Sequence, residues 1–191
     1  MKRSFDLAAA LAGLVLAAPA ILVLVILIRR DTPGPGLFGQ QRVGRRGRPF
    51  RCWKLRTMHA DTPERPSHEI GTSQVTRVGA WLRRRKLDEL PQLWNIVRGE
   101  MSFVGPRPCL PSQTALIEER ERRGVFAVRP GITGLAQIND IDMSDPVRLA
   151  EIDADYVRRR SFAFDMAILI RTVFAGAGAG DRVRLDGNRQ P

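Results

Sequence analysis

Twenty-two consecutive residues, Leu7 to Ile28, carry neither a charge nor a hydrogen-bonding side chain. As a helix, such a run is long enough to cross the ~30 Å hydrocarbon core of a bilayer. A secretory signal is the first competitor, because Ala18-Pro19-Ala20 imitates a small-residue cleavage site. The apolar run continues through Ile21 to Ile28, however, so cleavage there would leave a hydrophobic end, and the signal is rejected. Lys2 and Arg3 precede the run and Arg29 and Arg30 follow it, so the positive-inside rule gives little orientation. Pro19 removes one helix hydrogen bond near the middle and favours a kink. Residue physics alone favours a single-span anchor kinked at Pro19. The alternative is a helix that enters, bends at Pro19 and returns, leaving both basic ends on the cytoplasmic leaflet. Either way, the pattern is that of a membrane protein.

Past the apolar run, Asp31-Thr-Pro-Gly-Pro-Gly36 predicts a rigid linker. Leu37–Val43 and Pro49–Thr57 flank Gly44-Arg-Arg-Gly47 and predict a β-hairpin. The stretch 61–74 is rich in Pro, Ser, Thr and charge and predicts a surface loop. Leu87, Leu90, Trp94 and Val97 recur at helical spacing, which predicts a helix over about 80–98, perturbed or restarted near Pro91 and ended by Gly99. Met101–Pro108 and Val128–Gly134 predict ordered turns, and Ser112–Arg123 and Pro146–Arg160 helices. From Phe162, the residues Phe162, Met166, Leu169, Ile170 and Val173 form an apolar face opposite Ser161, Asp165 and Thr172. That helix is expected either to pack on the core or to lie in the membrane interface. The Gly/Ala-rich and then charged stretch 175–191 predicts a frayed tail.

Charge changes the picture by where it lies. The chain has 191 residues and a net charge of +11; residues 29–86 alone carry fifteen basic and four acidic side chains. Such a block must face something anionic: nucleic acid, lipid headgroups or a phosphorylated substrate. No helix-turn-helix pattern or RNA-binding aromatic signature accompanies it. A Walker loop is absent, and Gly34-Pro-Gly36 is too short for a dinucleotide fingerprint. Two cysteines, Cys52 and Cys109, and two histidines exclude a disulfide scaffold and argue against a Cys/His zinc site.

Asp88-Glu89 follows Arg83-Arg-Arg-Lys86 directly. On a helix, Asp88 would project away from the apolar stripe, near Arg84, Arg85, Gln92 and Asn95. A carboxylate among arginines stays ionised, which suits a nucleophile or a Mg²⁺ ligand. On spacing alone, an acid pair balancing a basic run is more often a solvated surface feature. Trp53-Lys54-Leu-Arg56-Thr57 ends a predicted strand, and Arg107 stands between Pro106 and Pro108. Each offers a fixed cation beside backbone that can approach a phosphate.

These motifs occur together and in order: Lys2-Arg3-Ser-Phe5-Asp6, Trp53–Met58, Leu87-Asp88-Glu89-Leu90-Pro91-Gln92-Leu93, Ser102–Pro108 and Val128–Gly134. The chain strongly resembles, over residues 2–174, the bacterial sugar transferases, the monotopic phosphoglycosyl transferases that start glycan assembly on a lipid carrier. Starting at Lys2, it is expected to be the minimal form. The resemblance implies an α+β, mostly helical fold: a re-entrant membrane helix over 1–30, a small cytoplasmic catalytic domain over 31–174 with a short hairpin and amphipathic interface helices, and a flexible tail. It implies transfer of a phosphosugar from a UDP-sugar to undecaprenyl phosphate at the bacterial inner membrane, on its cytoplasmic face, with Mg²⁺ as cofactor. Asp88 would form an aspartyl–phosphosugar and Glu89 would support the metal; both are its expected ligands. Lys54, Arg56, Arg83, Arg107 and Arg129 would bind phosphate and substrate. The implied partners are membrane lipid and downstream glycosyltransferases, not nucleic acid. Members break the membrane helix at a Ser-Pro pair; here the pair is Ala18-Pro19, without the hydroxyl.

Overall fold

A computed structural model describes residues 1–62 and 72–174. Most of the predicted 61–74 loop, and all of the predicted tail over 175–191, fall outside these residues. The fold is α+β and mostly helical, as the resemblance implies. Helix α1, Lys2–Asp31, is a single helix of 30 residues that continues through Pro19. Proline there removes one hydrogen bond without ending the helix.

One stripe of α1 packs on the rest of the chain along its whole length. Asp6, Ala10, Leu24 and Ile28 are buried on that stripe. Ala10 joins Cys52, Leu93, Ile96 and Met101; Leu24 and Ile28 join Leu55 and Leu82. Small residues let the partner helix approach: a Cβ on Gly13 would meet Leu93 at 3.4 Å. The opposite face leaves Leu11, Val15, Leu16, Leu22, Val23 and Leu27 exposed. Both ends of α1 are bound to the same body. Lys2 donates to the Val104 carbonyl (3.2 Å) and pairs with Asp165, while Arg3 donates to the carbonyls of Ile96 (2.7 Å) and Val97 (3.1 Å). Asp6 accepts from Ser102 Oγ at 2.8 Å. At the far end Asp31 accepts from the Val78 amide at 3.3 Å. The two basic residues that the sequence sets before the apolar run are thus engaged by protein groups.

Strands β1 (Leu37–Val43) and β2 (Pro49–Leu55) form the predicted antiparallel hairpin, with Phe38 opposite Lys54. The strand ends at Leu55, two residues before the predicted end. The helical stretch predicted over 80–98 is interrupted and restarts at Pro91, as the sequence allows. Helix α2, Arg77–Arg84, stops, Lys86 takes a left-handed conformation (φ 55°), a 3₁₀ turn covers Leu87–Glu89, and α3 runs over Gln92–Val97. The interruption lies at Lys86 and the turn after it, not only at Pro91. It delivers Leu87 to the cluster formed by Leu24, Ile28, Leu55 and Leu82. Partial burial of that side chain offsets part of the roughly 1–2 kcal/mol that one left-handed residue costs.

Strand β3 (Ser102–Val104) lies parallel to β4 (Gly131–Thr133), where the sequence predicts only turns. The two backbones touch: a Cβ on Gly131 would fall 2.1 Å from the Gly105 nitrogen, so no side chain fits there. Helix α4 (Thr114–Arg122) packs on α6 (Pro146–Arg159), and Tyr156 of α6 with Leu135 and Ile138 of α5 (Leu135–Ile138) packs on Val104 of β3; Asp145 caps α6 by accepting from the Arg148 amide.

Helix α7, Phe162–Phe174, has its polar side inward. Asp165 is buried and accepts from Tyr156 (2.8 Å), and Thr172 bonds Thr133 (2.8 Å). Ile168, Phe164 and Leu169 also pack inward, while Phe162, Ile170, Val173 and Phe174 are exposed. Core packing, one of the two expected destinations, is realised on one side. One side of α7 packs on the core, and the residues left outside are apolar.

Candidate active site

The 3₁₀ turn that carries Leu87 under α1 sets the two acids after it. Asp88 is only 7 % exposed, which removes the reading of Asp88-Glu89 as a solvated pair. Nor does Asp88 sit on one helix face with Arg85 and Asn95. Arg85 lies over the Trp81 ring at 4.8 Å, and Asn95 is engaged elsewhere.

Glu89 gathers two of the expected cations on one oxygen. Its Oε1 lies 3.5 Å from Lys54 Nζ and 3.0 Å from Arg107 Nη2, and all three side chains are largely shielded from solvent. Lys54 arrives from β2 and Arg107 from the loop after β3, so three separate segments converge. Arg107 is held between Pro106 and Pro108, both buried, and only its side chain reaches outward. Two cations and two carboxylates in so small a volume leave little net charge, and a further cation beside them turns the site attractive to an anion.

Arg83 supplies such a cation. Its Nε donates to Thr57 Oγ1 at 2.8 Å, and its Nη1 is buried with no protein acceptor. Arg56 and Arg129 are placed differently. Arg56 is buried and donates to the carbonyls of Thr32 (2.9 Å) and Pro33 (2.7 Å), tying the linker to the end of β2. Arg129 donates to the Gly99 carbonyl at 2.7 Å, just past α3. Partial burial, with Arg3 and Arg45 nearby, holds its guanidinium below the usual arginine range. The structure thus joins Lys54, Glu89 and Arg107 beside Asp88, sets Arg83 on Thr57, and gives Arg56 and Arg129 backbone carbonyls instead. Pro19 lies on the exposed middle of α1.

One residue that sequence reasoning missed fixes this geometry. Asn95 is fully buried; its Oδ1 accepts from the Trp53 amide (3.0 Å), and its Nδ2 donates to the Arg51 carbonyl and to Glu100, each at 2.7 Å. It locks α3 to the strand that carries Lys54. Its place with Gln92 on the side away from the apolar stripe reads as solvated, so the sequence carries no signal for it.

Among the described residues no three His, Cys, Asp or Glu side chains converge as a metal cage. The donor chemistry of the adjacent Asp88 and Glu89 fits Mg²⁺, which keeps several waters and is commonly held by one or two carboxylates plus substrate phosphates. A cavity of about 570 Å³ lies elsewhere, lined by Val25, Arg29, Gly34, Pro35, Gly36 and Leu37. It shares no residue with the acid pair and contains no carboxylate.

The family model described as bacterial sugar transferase matches residues 1–178. The chain belongs to the bacterial sugar transferase family. It is 41% identical over 181 residues to the UDP-glucose:undecaprenyl-phosphate glucose-1-phosphate transferase of Caulobacter vibrioides, covering 90% of this chain and 68% of that one. It is 38% identical to the UDP-galactose-lipid carrier transferase of Erwinia amylovora and 37% identical to an Escherichia coli enzyme named like the Caulobacter one. Those matches cover 91% and 92% of this chain, which spans only 39% and 40% of the two relatives. The family match includes α1, both hairpin strands, the Asp88-Glu89 turn and the Arg107 loop.

Proposed function

We propose that this bacterial sugar transferase moves a phosphosugar from a UDP-sugar to undecaprenyl phosphate, releasing UMP, in the first membrane step of glycan assembly. One observation carries the reading: a shielded Asp88 beside a Glu89 that draws Lys54 and Arg107 onto one oxygen. The names of the relatives supply the substrate class. An oxygen of Asp88 attacks the phosphorus that bears the sugar; the bond to the bridging oxygen breaks, and UMP departs. A phosphate oxygen of the lipid then displaces Asp88 from that phosphorus and restores the carboxylate. Lys54, Arg83 and Arg107 hold the phosphate oxygens as charge shifts between them. Mg²⁺, held by Asp88 and Glu89 when bound, neutralises diphosphate charge. The product would feed glycosyltransferases that extend the sugar.

The test is a panel of UDP-sugars with polyprenyl phosphate, monitored for UMP with Mg²⁺ and with chelator. Mg²⁺-dependent UMP release from at least one UDP-sugar is expected. Protein that binds DNA tightly and releases no UMP from any UDP-sugar would favour a membrane-anchored nucleic-acid binder, the reading that charge alone suggests.

The bilayer placement follows the same reading. Contacts of Lys2, Arg3 and Asp6 at one end of α1, and of Ile28 and Asp31 at the other, with one body support a re-entrant or surface-lying helix over a span. The exposed apolar sides of α1 and α7 would face lipid, with the catalytic domain on the cytoplasmic face. Single cysteines at Ser4 and Arg30, both exposed, should react with impermeant maleimide from the cytoplasmic side only. Labelling from opposite sides would establish a span. Native thiols give little background, because Cys52 and Cys109 are buried and burial pushes both thiols up.

A further inference from the structure

Four consecutive carbonyls around Arg107 each accept a hydrogen bond, from three separate places in the chain. The Gly131 amide donates to Pro106 (3.0 Å), Arg120 Nη1 to Arg107 (2.8 Å), Arg42 Nη1 to Pro108 (2.9 Å) and the Val43 amide to Cys109 (2.9 Å). Two of the four donors are guanidinium groups, and both are buried, Arg120 at 1 % exposure and Arg42 at 6 %.

Each guanidinium is itself held by a side-chain acceptor on two of its nitrogens. Arg120 donates from Nε (3.0 Å) and Nη2 (2.6 Å) to Asp153 Oδ2, and Asp153 is as buried as its partner. Arg42 donates from Nε (3.2 Å) and Nη2 (2.6 Å) to Gln40 Oε1. In both, one edge of the planar fork is fixed by the acceptor, and the remaining Nη1 is directed at the loop carbonyl. Burying an arginine is costly, and apolar side chains of similar volume often serve stability as well or better. What apolar residues cannot supply is a donor at a set position on the Arg107 backbone.

We infer that Arg120, oriented by Asp153, and Arg42, oriented by Gln40, are positioning residues that aim Arg107 at the site. They hold the peptide from Arg107 to Pro108 from two sides, and so set how far the Arg107 guanidinium extends toward Glu89 and the substrate phosphates. This rests on the transferase reading above. A displacement near 1 Å of a group that contacts the reacting phosphates costs on the order of 10²-fold in rate.

The experiment is a coupling cycle. Arg120→Met with Asp153→Leu replaces the buried pair by apolar groups of similar size, an exchange that often leaves stability unchanged. UMP release is expected to fall ~10- to 100-fold in kcat, with KM for the UDP-sugar changing less than ~3-fold. In an Arg107→Ala background, which is already slow, the same double substitution should lower the rate by less than ~3-fold more. Equal fold-losses with and without Arg107, or an unchanged kcat, would overturn the proposal. Should the double variant not fold, Arg42→Met with Gln40→Leu removes the other clamp by the same reasoning. A second readout does not depend on turnover: the Arg107 Nε–Hε NMR signal, assigned by its loss in Arg107→Lys. A signal that is single and narrow in the wild type and broadened in the clamp variant supports the role even if no UDP-sugar releases UMP. An unchanged signal in a folded clamp variant counts against it even if turnover is normal.

Discussion

Asp88→Asn is expected to abolish UMP release from every UDP-sugar the wild-type protein accepts, by on the order of 10⁴-fold or more. The substitution is nearly isosteric, and the side chain is shielded in a 3₁₀ turn anchored by Leu87, so the fold should survive. What changes is chemistry: a neutral amide cannot form the acyl phosphate that the two-step reaction requires. With sugar-labelled UDP-sugar and no lipid acceptor, wild-type protein should retain label and Asp88→Asn should retain none. Glu89→Gln is expected to behave differently, slowing turnover without preventing labelling, because Glu89 organises Lys54 and Arg107 rather than bonding phosphorus. Residual activity of Asp88→Asn within 10-fold of wild type, at unchanged melting, would remove Asp88 from the nucleophile's role.

The features of this site that were legible in the sequence are those fixed by local chemistry. The hairpin that delivers Lys54 follows from alternation around a glycine turn, and Arg107 between two prolines is constrained wherever it sits. The acid pair was visible, but its shielding was not. Burial of Asp88 depends on Lys86 adopting a left-handed conformation, which lysine does not advertise and which the packing of Leu87 under α1 imposes. The parallel pair β3–β4 escaped notice because three-residue strands have no period to detect. Arg120 and Asp153 stand on charged, apparently solvated helix faces, and nothing in their spacing marks them as a buried pair.

Helix α7 shows a different kind of failure. Its amphipathic period is plain in the sequence, yet the usual rule that apolar faces turn inward is only half obeyed. Asp165 and Thr172 turn inward to Lys2, Tyr156 and Thr133, while Val173 and Phe174 remain 74% and 84% exposed. A rule that assumes water outside reverses where the outer medium is lipid. The pattern of α1 matches the bilayer placement proposed above: its polar residues Lys2, Arg3 and Asp6 bond protein while leucines and valines face out. The polar contacts at its N-terminus tie α1 to β3 and thereby to the start of the Arg107 loop. Anchoring and catalytic geometry are thus fastened to the same strand.

Gly79→Ala provides the second large effect, and its sign runs against helix propensity. Within a helix this exchange ordinarily stabilises by roughly 0.5–1 kcal/mol. Here α2 rests directly on the backbone that follows β2, and a Cβ on Gly79 would fall 2.0 Å from the Thr57 carbonyl oxygen. That oxygen accepts from the Thr76 amide at 3.1 Å, and Thr76 Oγ1 in turn accepts from the Gly79 amide at 2.9 Å, capping α2. A methyl group cannot enter without lifting the helix off Thr57. Lifting it strains the cap, draws the fully buried Leu82 out of its cluster, and separates Arg83 Nε from Thr57 Oγ1. Overpacking of this kind costs about 1–3 kcal/mol, and a lost hydrogen bond adds about 1. Denaturant titration in detergent should therefore show destabilisation, not the usual gain. UMP release should fall by more than the unfolded fraction explains, because Arg83, one of the residues proposed to hold phosphate, is displaced from Thr57. A stabilised or fully active Gly79→Ala would mean that α2 can move freely over Thr57, and that Arg83 is not held where phosphate binding needs it.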